Sequence, residues 1–178
     1  MIPATQKKLR EAKFFFAHLE QQARIPVWKA TVEHAEFYFN ALVSACRSVT
    51  FALQSESKVT YDAWYPNWLA ARSTAEKLTL KRFNDERVKI VKRTGAKLTS
   101  RNILTPYDEV FPPTGDESPA YIMARIRHPR SAATVGTLEL ICRFSDGAEA
   151  PAIDAAREYI ELLDVLIADF CQYYRGAI

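Results

Sequence analysis

The apolar residues of this chain recur at steps of three and four over most of its length, which is the spacing of one helix face. The pattern predicts a first helix over 5–23, a second over 28–55 beyond Pro26, and a last one that follows Pro151. The second helix is apolar over much of its circumference, as a helix in the centre of a bundle is. The predicted fold class is mainly α, a helical bundle of four to five helices.

A further predicted helix carries an arginine in its apolar seam. Ser73 and Glu76 form a capping box that predicts its start, and Gly95 predicts its end. The seam repeats at steps of three, four and three, with Asn84 beside it, and consists of Leu80, Phe83, Arg87 and Ile90. Because an unpaired buried charge is costly, Arg87 is either locked into an internal polar network or held in a cleft for a ligand. The candidate partners in an internal network are Asn40, Asp62 and Glu86.

Two other groups of side chains lie on predicted helices. Asn40 and Arg47 belong to a polar line on the second helix, which forms a second candidate polar network. Pro66 predicts a break or a fresh helix start within an aromatic segment. The aromatic residues there share a face that either belongs to the core or lines a pocket where a base could stack; they are Tyr61, Trp64 and Trp68.

The composition changes between residues 97 and 146, where prolines exclude a long helix and apolar residues alternate. The pattern predicts a loop followed by a β-hairpin over 121–144, inserted before the long C-terminal helix of a single domain spanning 1–178. Its candidate contacts to phosphate are Arg125, Arg127 and Arg130. The alternative is that these charges protect an edge strand from aggregation.

Charge is distributed unevenly along the chain. The formal net charge of +3 is too small to indicate nucleic-acid binding by itself. Residues 77–101, however, contain nine Lys or Arg against two acidic residues, whereas residues 146–178 contain seven acidic residues against two Arg. The basic segment either steers a polyanion to one side of the molecule or attracts the acidic segment within the fold.

Several chemistries find no support in the sequence. The five glycines are isolated, so a phosphate-cradling loop or dinucleotide fingerprint is excluded and no cofactor is predicted. The three histidines and three cysteines are scattered, which argues against a metal site or a disulfide framework. No apolar run approaches the length of a membrane span, and no signal-peptide core follows the first charges. We expect a cytoplasmic protein that does not enter a membrane.

The helical segments resemble HEPN-like helical domains, a superfamily found in prokaryotic toxin–antitoxin and defence systems. The resemblance covers about residues 5–95 and 150–175 and rests on the segments 39–42, 45–51, 61–64 and 83–87, followed by a long C-terminal helix. Members often pair the faces that bear their motif, and the resemblance implies a homodimer here.

Catalytic members of that superfamily are ribonucleases, whose motif is an arginine followed, after four to six intervening residues, by a histidine. Arg87 matches the arginine, but Lys92, Arg93 and Thr94 occupy the positions of the histidine. Lysine is mostly protonated near neutral pH and arginine does not act as a base, so the proton carrier is missing.

Three functional hypotheses follow. The first is a non-catalytic HEPN-like protein that binds a protein partner or nucleic acid through a surface comprising Arg87, Asn84, Asn40, Arg47, Arg125, Arg127 and Arg130. The second is a divergent, metal-independent ribonuclease in which Arg87 binds the scissile phosphate and Lys92 or Arg93 stabilises charge. The third is a structural or small-ligand-binding helical protein.

Overall fold

The structure is a computed structural model that describes residues 2–27, 29–92, 95–106 and 134–176. These residues form five helices and a three-stranded antiparallel sheet, which confirms the mainly α class with a β insertion before the C-terminal helix. In chain order the elements are α1 (Pro3–Arg24), α2 (Val32–Glu56), α3 (Lys58–Ala70), α4 (Thr74–Lys92), β1 (Leu98–Pro106), β2 (Thr134–Arg143), β3 (Glu149–Pro151) and α5 (Ala152–Gly176). None of the described helices is long and apolar enough to cross a membrane.

The core lies between α2, α5 and the helices that pack against them. Phe39 of α2 and Phe83 of α4 are almost fully buried with their ring centroids 6.3 Å apart, and Tyr159 of α5 stacks on Phe83 at 4.3 Å. Burying large aromatic side chains removes more apolar area from water than any other residue type does. This aromatic contact therefore joins α2, α4 and α5, and its Tyr159 also lines the cleft described below.

The α3 helix continues through Pro66, so the predicted break is wrong. Proline removes one helical hydrogen bond, the one to the carbonyl of Asp62, and both residues are exposed, so water can reach that carbonyl. The aromatic residues on the opposite face hold the helix against the core, with 7%, 8% and 5% of Tyr61, Trp64 and Trp68 exposed. Trp68 also donates from Nε1 to Asp169 of α5 at 2.9 Å.

The predicted termini of α4 are confirmed. The backbone N–H of Ser73 donates to Glu76 at 2.7 Å, and the backbone N–H of Glu76 donates to Ser73 Oγ at 3.2 Å, which is the reciprocal capping box. Gly95, with a φ of +87°, allows the chain to turn after the helix into β1.

The sheet differs from the predicted hairpin. β2 contains the second predicted hairpin strand, but it pairs with β1, in a register that sets Leu98 opposite Cys142, and with β3 on its other side. Residues 98–106, predicted to be loop, therefore form a strand, because pairing with β2 supplies the hydrogen bonds that the local sequence does not signal. The first predicted hairpin strand, near 122–126, lies outside the described residues.

Candidate functional site

A cleft of about 890 Å³ opens between α2, α3 and α4, with one residue of α5 in its wall. Its size lies within the usual range for ligand pockets. It forms because a single residue separates the end of α2 from the start of α3 and α4 follows a short turn, so the three helices converge. The lining residues are Arg47, Thr50, Phe51, Gln54, Tyr61, Asp62, Tyr65, Pro66, Leu69, Ala70, Lys77, Leu80, Lys81, Asn84 and Tyr159.

Arg47 is the cation in the inner wall of this cleft. Its Nη1 donates to Thr50 Oγ1 at 3.1 Å, and its Cζ lies 4.3 Å from the centroid of the Phe51 ring. Its Nε is buried and has no hydrogen-bond partner among the described residues. A buried donor without a partner is costly, and this guanidinium can donate a further hydrogen bond to a ligand.

Three tyrosines line the cleft with Arg47. Tyr61 and Tyr65 stack at 5.0 Å between ring centroids, and Tyr159 is only 3% exposed. Burial raises the pKa of all three hydroxyls, while the charge of Arg47 acts on each in the opposite direction. The phenols therefore stay protonated at neutral pH and act as hydrogen-bond donors. We call these four residues, Arg47, Tyr61, Tyr65 and Tyr159, the donor cluster.

The rim of the cleft carries more positive than negative charge. Lys77 reaches back across the rim, where its Nζ donates to the carbonyl of Ala70 at 2.8 Å. Lys81 pairs with Asp85 one turn along α4 at 3.1 Å, and both side chains are exposed enough for water to weaken the pair. The carboxylate in the lining, Asp62, accepts a hydrogen bond from Gln54 at 2.7 Å.

Arg87 lies beside this cleft and does not line it. The residue is half-buried, and its guanidinium is 5.4 Å from the centroid of the Phe51 ring, which is 43% exposed. Phe51 thus contacts two guanidinium groups, those of Arg47 and Arg87. Among the described residues Arg87 has no hydrogen bond or ion pair. Asn84, one turn earlier on α4, lines the cleft as a binding residue would.

The candidate partners of Arg87 in an internal network bind elsewhere. Asn40 accepts a hydrogen bond from the backbone N–H of Ala96 at 2.9 Å, and so fixes the turn between α4 and β1. Asp62 is bound to Gln54, and the buried carboxylate of α4 is Glu86. The two residues of the predicted polar line of α2 therefore have different roles. Asn40 makes a structural hydrogen bond, whereas Arg47 lines the cleft.

The remaining predicted site residues lie apart from the cleft or outside the described residues. Lys92 is exposed at the C-terminal end of α4 and borders a separate surface groove with Lys89 and Arg143. The residues whose placement falls outside the described part of the chain are Arg93, Arg125, Arg127 and Arg130.

Sequence analysis missed Tyr65 and Tyr159 as site residues. A signal for Tyr65 was present, because it lies four residues after Tyr61 and such residues share a helix face. Tyr159 falls within the apolar seam of the last helix, and nothing local distinguishes it from a core residue. Of the predicted aromatic face, only Tyr61 lines the cleft; Trp64 and Trp68 pack in the core.

The arrangement is suited to binding an anion next to an aromatic surface, and the carboxylate in its lining, Asp62, is bonded to Gln54. Neither histidine in the described part of the chain lines the cleft: His18 stacks on Tyr38, and His34 lies near Phe37. Within the same residues no cluster of three His, Cys, Asp or Glu could hold a metal ion. No protein-family model matches the chain, and no curated protein or solved structure is significantly similar to it.

Proposed function

We propose that this chain is a non-catalytic, HEPN-like helical protein that binds single-stranded RNA at the cleft between α2, α3 and α4. The observation that carries the proposal is the exposed Phe51 ring in the cleft lining, whose centroid lies 4.3 Å from the guanidinium of Arg47 and 5.4 Å from that of Arg87. Exposed rings and guanidinium planes are the surfaces on which unpaired bases stack, and adjacent cations bind the phosphates.

The cations of α4 supply the electrostatic part of this binding. Lys77 and Lys81 lie on the rim, and Arg87 is half-buried beside it. Arg87 has no carboxylate partner in the described part of the chain, so its charge is available to a phosphate. In this proposal the helix that the sequence marked out as basic forms one wall of the RNA site.

Binding of a short oligouridine, about 12 nucleotides long and labelled with fluorescein at its 3′ end, tests the proposal by fluorescence anisotropy at two salt concentrations. We expect binding at low salt that weakens steeply as salt rises, because phosphate contacts release counterions. Phe51→Ala should weaken binding about tenfold, which is the size of one lost stacking contact. Absence of binding at low salt would refute the proposal.

Phe37→Ala is the matched control. Phe37 is 60% exposed and also lies on α2, but it is absent from the cleft lining. We expect this variant to bind the oligouridine as the unmodified protein does. Equal losses in Phe37→Ala and Phe51→Ala would mean that the effect is general and that Phe51 has no specific role.

A divergent ribonuclease is the competing function, and the same samples distinguish it. If Arg87 and Lys92 acted on a scissile phosphate, the oligouridine would shorten with time and Arg87→Ala would stop its cleavage. We expect intact RNA on a denaturing gel, because no histidine of the described residues lines the cleft.

The homodimer implied by the HEPN-like resemblance belongs to the same proposal. Val88 and Val91 are 38% and 64% exposed on α4, the helix that bears Arg87, and pairing of two copies would cover them. Light scattering after size exclusion should give twice the chain mass, and Val91→Lys should return the protein to a monomer. A monomer at all concentrations would contradict pairing and leave RNA binding to be judged by anisotropy.

A further inference from the structure

We propose that the donor cluster binds a phosphate monoester, either the terminal phosphate of an RNA strand or that of a free nucleotide. The inference deepens the proposed function, because it assigns to the cleft the one chemical group by which an RNA end differs from the rest of the strand. The phosphate site is assigned to residues other than Arg87, so phosphate binding and RNA binding can be tested separately.

The cleft offers more donors than an internal phosphodiester or a carboxylate needs. The Nε of Arg47 is buried and unpartnered within the described residues, and the three tyrosine hydroxyls make no hydrogen bond there. A phosphate monoester has three terminal oxygens and carries close to two negative charges at neutral pH, so it can accept several hydrogen bonds from these groups. A carboxylate, with two oxygens, would leave some of them unsatisfied.

Charge and burial favour the same ligand class. The lining contains three cations against one carboxylate, that of Asp62, which is already bonded to Gln54. Tyr61 and Tyr159 are 7% and 3% exposed and both line the cleft, so most of each side chain is shielded from water beside the ligand. The stacked rings of Tyr61 and Tyr65 provide an apolar surface beside the donors, on which a base or sugar attached to the phosphate could pack.

The four members of the donor cluster do not bond to one another within the described residues. All four can donate, and although each phenol oxygen can also accept, no hydrogen bond joins any of the four to another. The Oγ1 of Thr50 accepts one hydrogen bond from the guanidinium of Arg47 and donates its own hydrogen bond to the backbone carbonyl of Arg47 at 2.9 Å. An oxyanion is therefore the natural acceptor for the cluster.

The test compares oligouridines of one sequence that end in a 5′-phosphate, a 3′-phosphate or hydroxyls only, together with uridine monophosphate as a competitor. We expect one phosphorylated end to bind about tenfold more tightly than the hydroxyl form, the gain of one additional charged hydrogen-bonded group. Tyr61→Phe removes a donor and keeps the ring, so it should reduce this preference severalfold. Tyr173→Phe, on an exposed tyrosine of α5 outside the cleft, should leave the preference unchanged.

The outcomes separate this inference from the proposed function. Equal affinity for phosphorylated and hydroxyl ends overturns the phosphate site while RNA binding stands. Binding of uridine monophosphate that is lost in Tyr61→Phe, without binding of any oligouridine, supports the site and overturns RNA binding. Arg47→Ala should abolish the preference; if that variant does not fold, Tyr61→Phe alone decides. A preference that survives Tyr61→Phe unchanged refutes the assignment to this cluster.

Discussion

The Nζ of Lys89 donates a hydrogen bond to the buried Oε1 of Glu86 at 2.6 Å, across one turn of α4. The Glu86 side chain is 3% exposed. Ser145, in the turn between β2 and β3, reaches the same oxygen with its hydroxyl at 3.3 Å. Glu86 is thus the buried charge of α4, and its contacts tie this helix to the sheet.

Loss of the Lys89 amine should destabilise the fold, because it leaves a buried carboxylate with one weak neutral donor. We expect Lys89→Met, which keeps most of the apolar stem, to lower the free energy of unfolding by about 2 kcal/mol in urea titrations. Lys81→Met is the control, since Lys81 and Asp85 form an exposed pair on the same helix whose loss should change stability by less than about 0.5 kcal/mol. Equal effects of the two variants would contradict the assigned role of Glu86.

The contrast between Glu86 and Arg87 shows what the seam of α4 could and could not predict. Periodicity correctly located the helix and the burial of Phe83. Periodicity could not decide which of the two adjacent charged residues, Glu86 or Arg87, is buried. The burial of Glu86 depends on its hydrogen bonds from Lys89 and from Ser145, and Ser145 is distant in sequence. The seam placed Arg87 towards the inner side of α4, where it is half-buried, and did not indicate that the fully buried charge is its neighbour Glu86.

The sheet and the cleft were predicted less well, for a related reason. β1 has few alternating apolar residues, and its strand form depends on pairing with β2, which follows a long intervening segment. The cleft combines residues of four helices, and Tyr159 has the pattern of a core residue until the packing of α5 places it beside Arg47. Local patterns define the helices, whereas the site depends on their arrangement.

The turn after α4 offers a second stability test. Gly95 has a φ of +87°, and a Cβ added there would lie 2.9 Å from Nδ2 of Asn40, whose Oδ1 is bound to Ala96. Gly147 has a φ of +84° with no atom within 4 Å of the added Cβ. We expect Gly147→Ala to cost about 1 kcal/mol from backbone strain alone. Gly95→Ala should cost about 2–3 kcal/mol, because it also disturbs Asn40.

Thermal and urea unfolding of both glycine variants measure this difference. A similar cost at the two positions would mean that Asn40 moves aside freely, and that its bond to Ala96 contributes little to the turn.

The first turn of α1 is capped from the far end of α2, and this contact should depend on pH. Glu56 accepts hydrogen bonds from the backbone N–H groups of Ala4 at 2.8 Å and Thr5 at 3.0 Å. Burial alone would raise the pKa of this carboxyl, but hydrogen bonds from Thr5 and Ala4 lower it below its ordinary value of 4.5. The stabilisation is therefore complete above that value and is lost as the pH falls through the lower native pKa.

Glu56→Gln should accordingly cost about 1 kcal/mol near neutral pH, the size of a lost helix cap. The difference between the variant and the unmodified protein should shrink in acid, as the native carboxyl becomes protonated. Melting temperatures recorded across the acid range test this. A difference that stays constant down to the lowest pH at which the protein is folded would show that charge plays no part in the cap.

Arg87 itself should matter little for stability. It is half-buried, and its guanidinium lies 5.4 Å from the centroid of the Phe51 ring. Such a contact contributes up to about 1 kcal/mol, and alanine is the better helix former. We expect Arg87→Ala to change the free energy of unfolding by less than about 1 kcal/mol while it weakens oligouridine binding and lowers the salt dependence by about one phosphate contact. A loss of several kcal/mol would instead place Arg87 in an internal network, because removal of one partner from a buried pair costs that much.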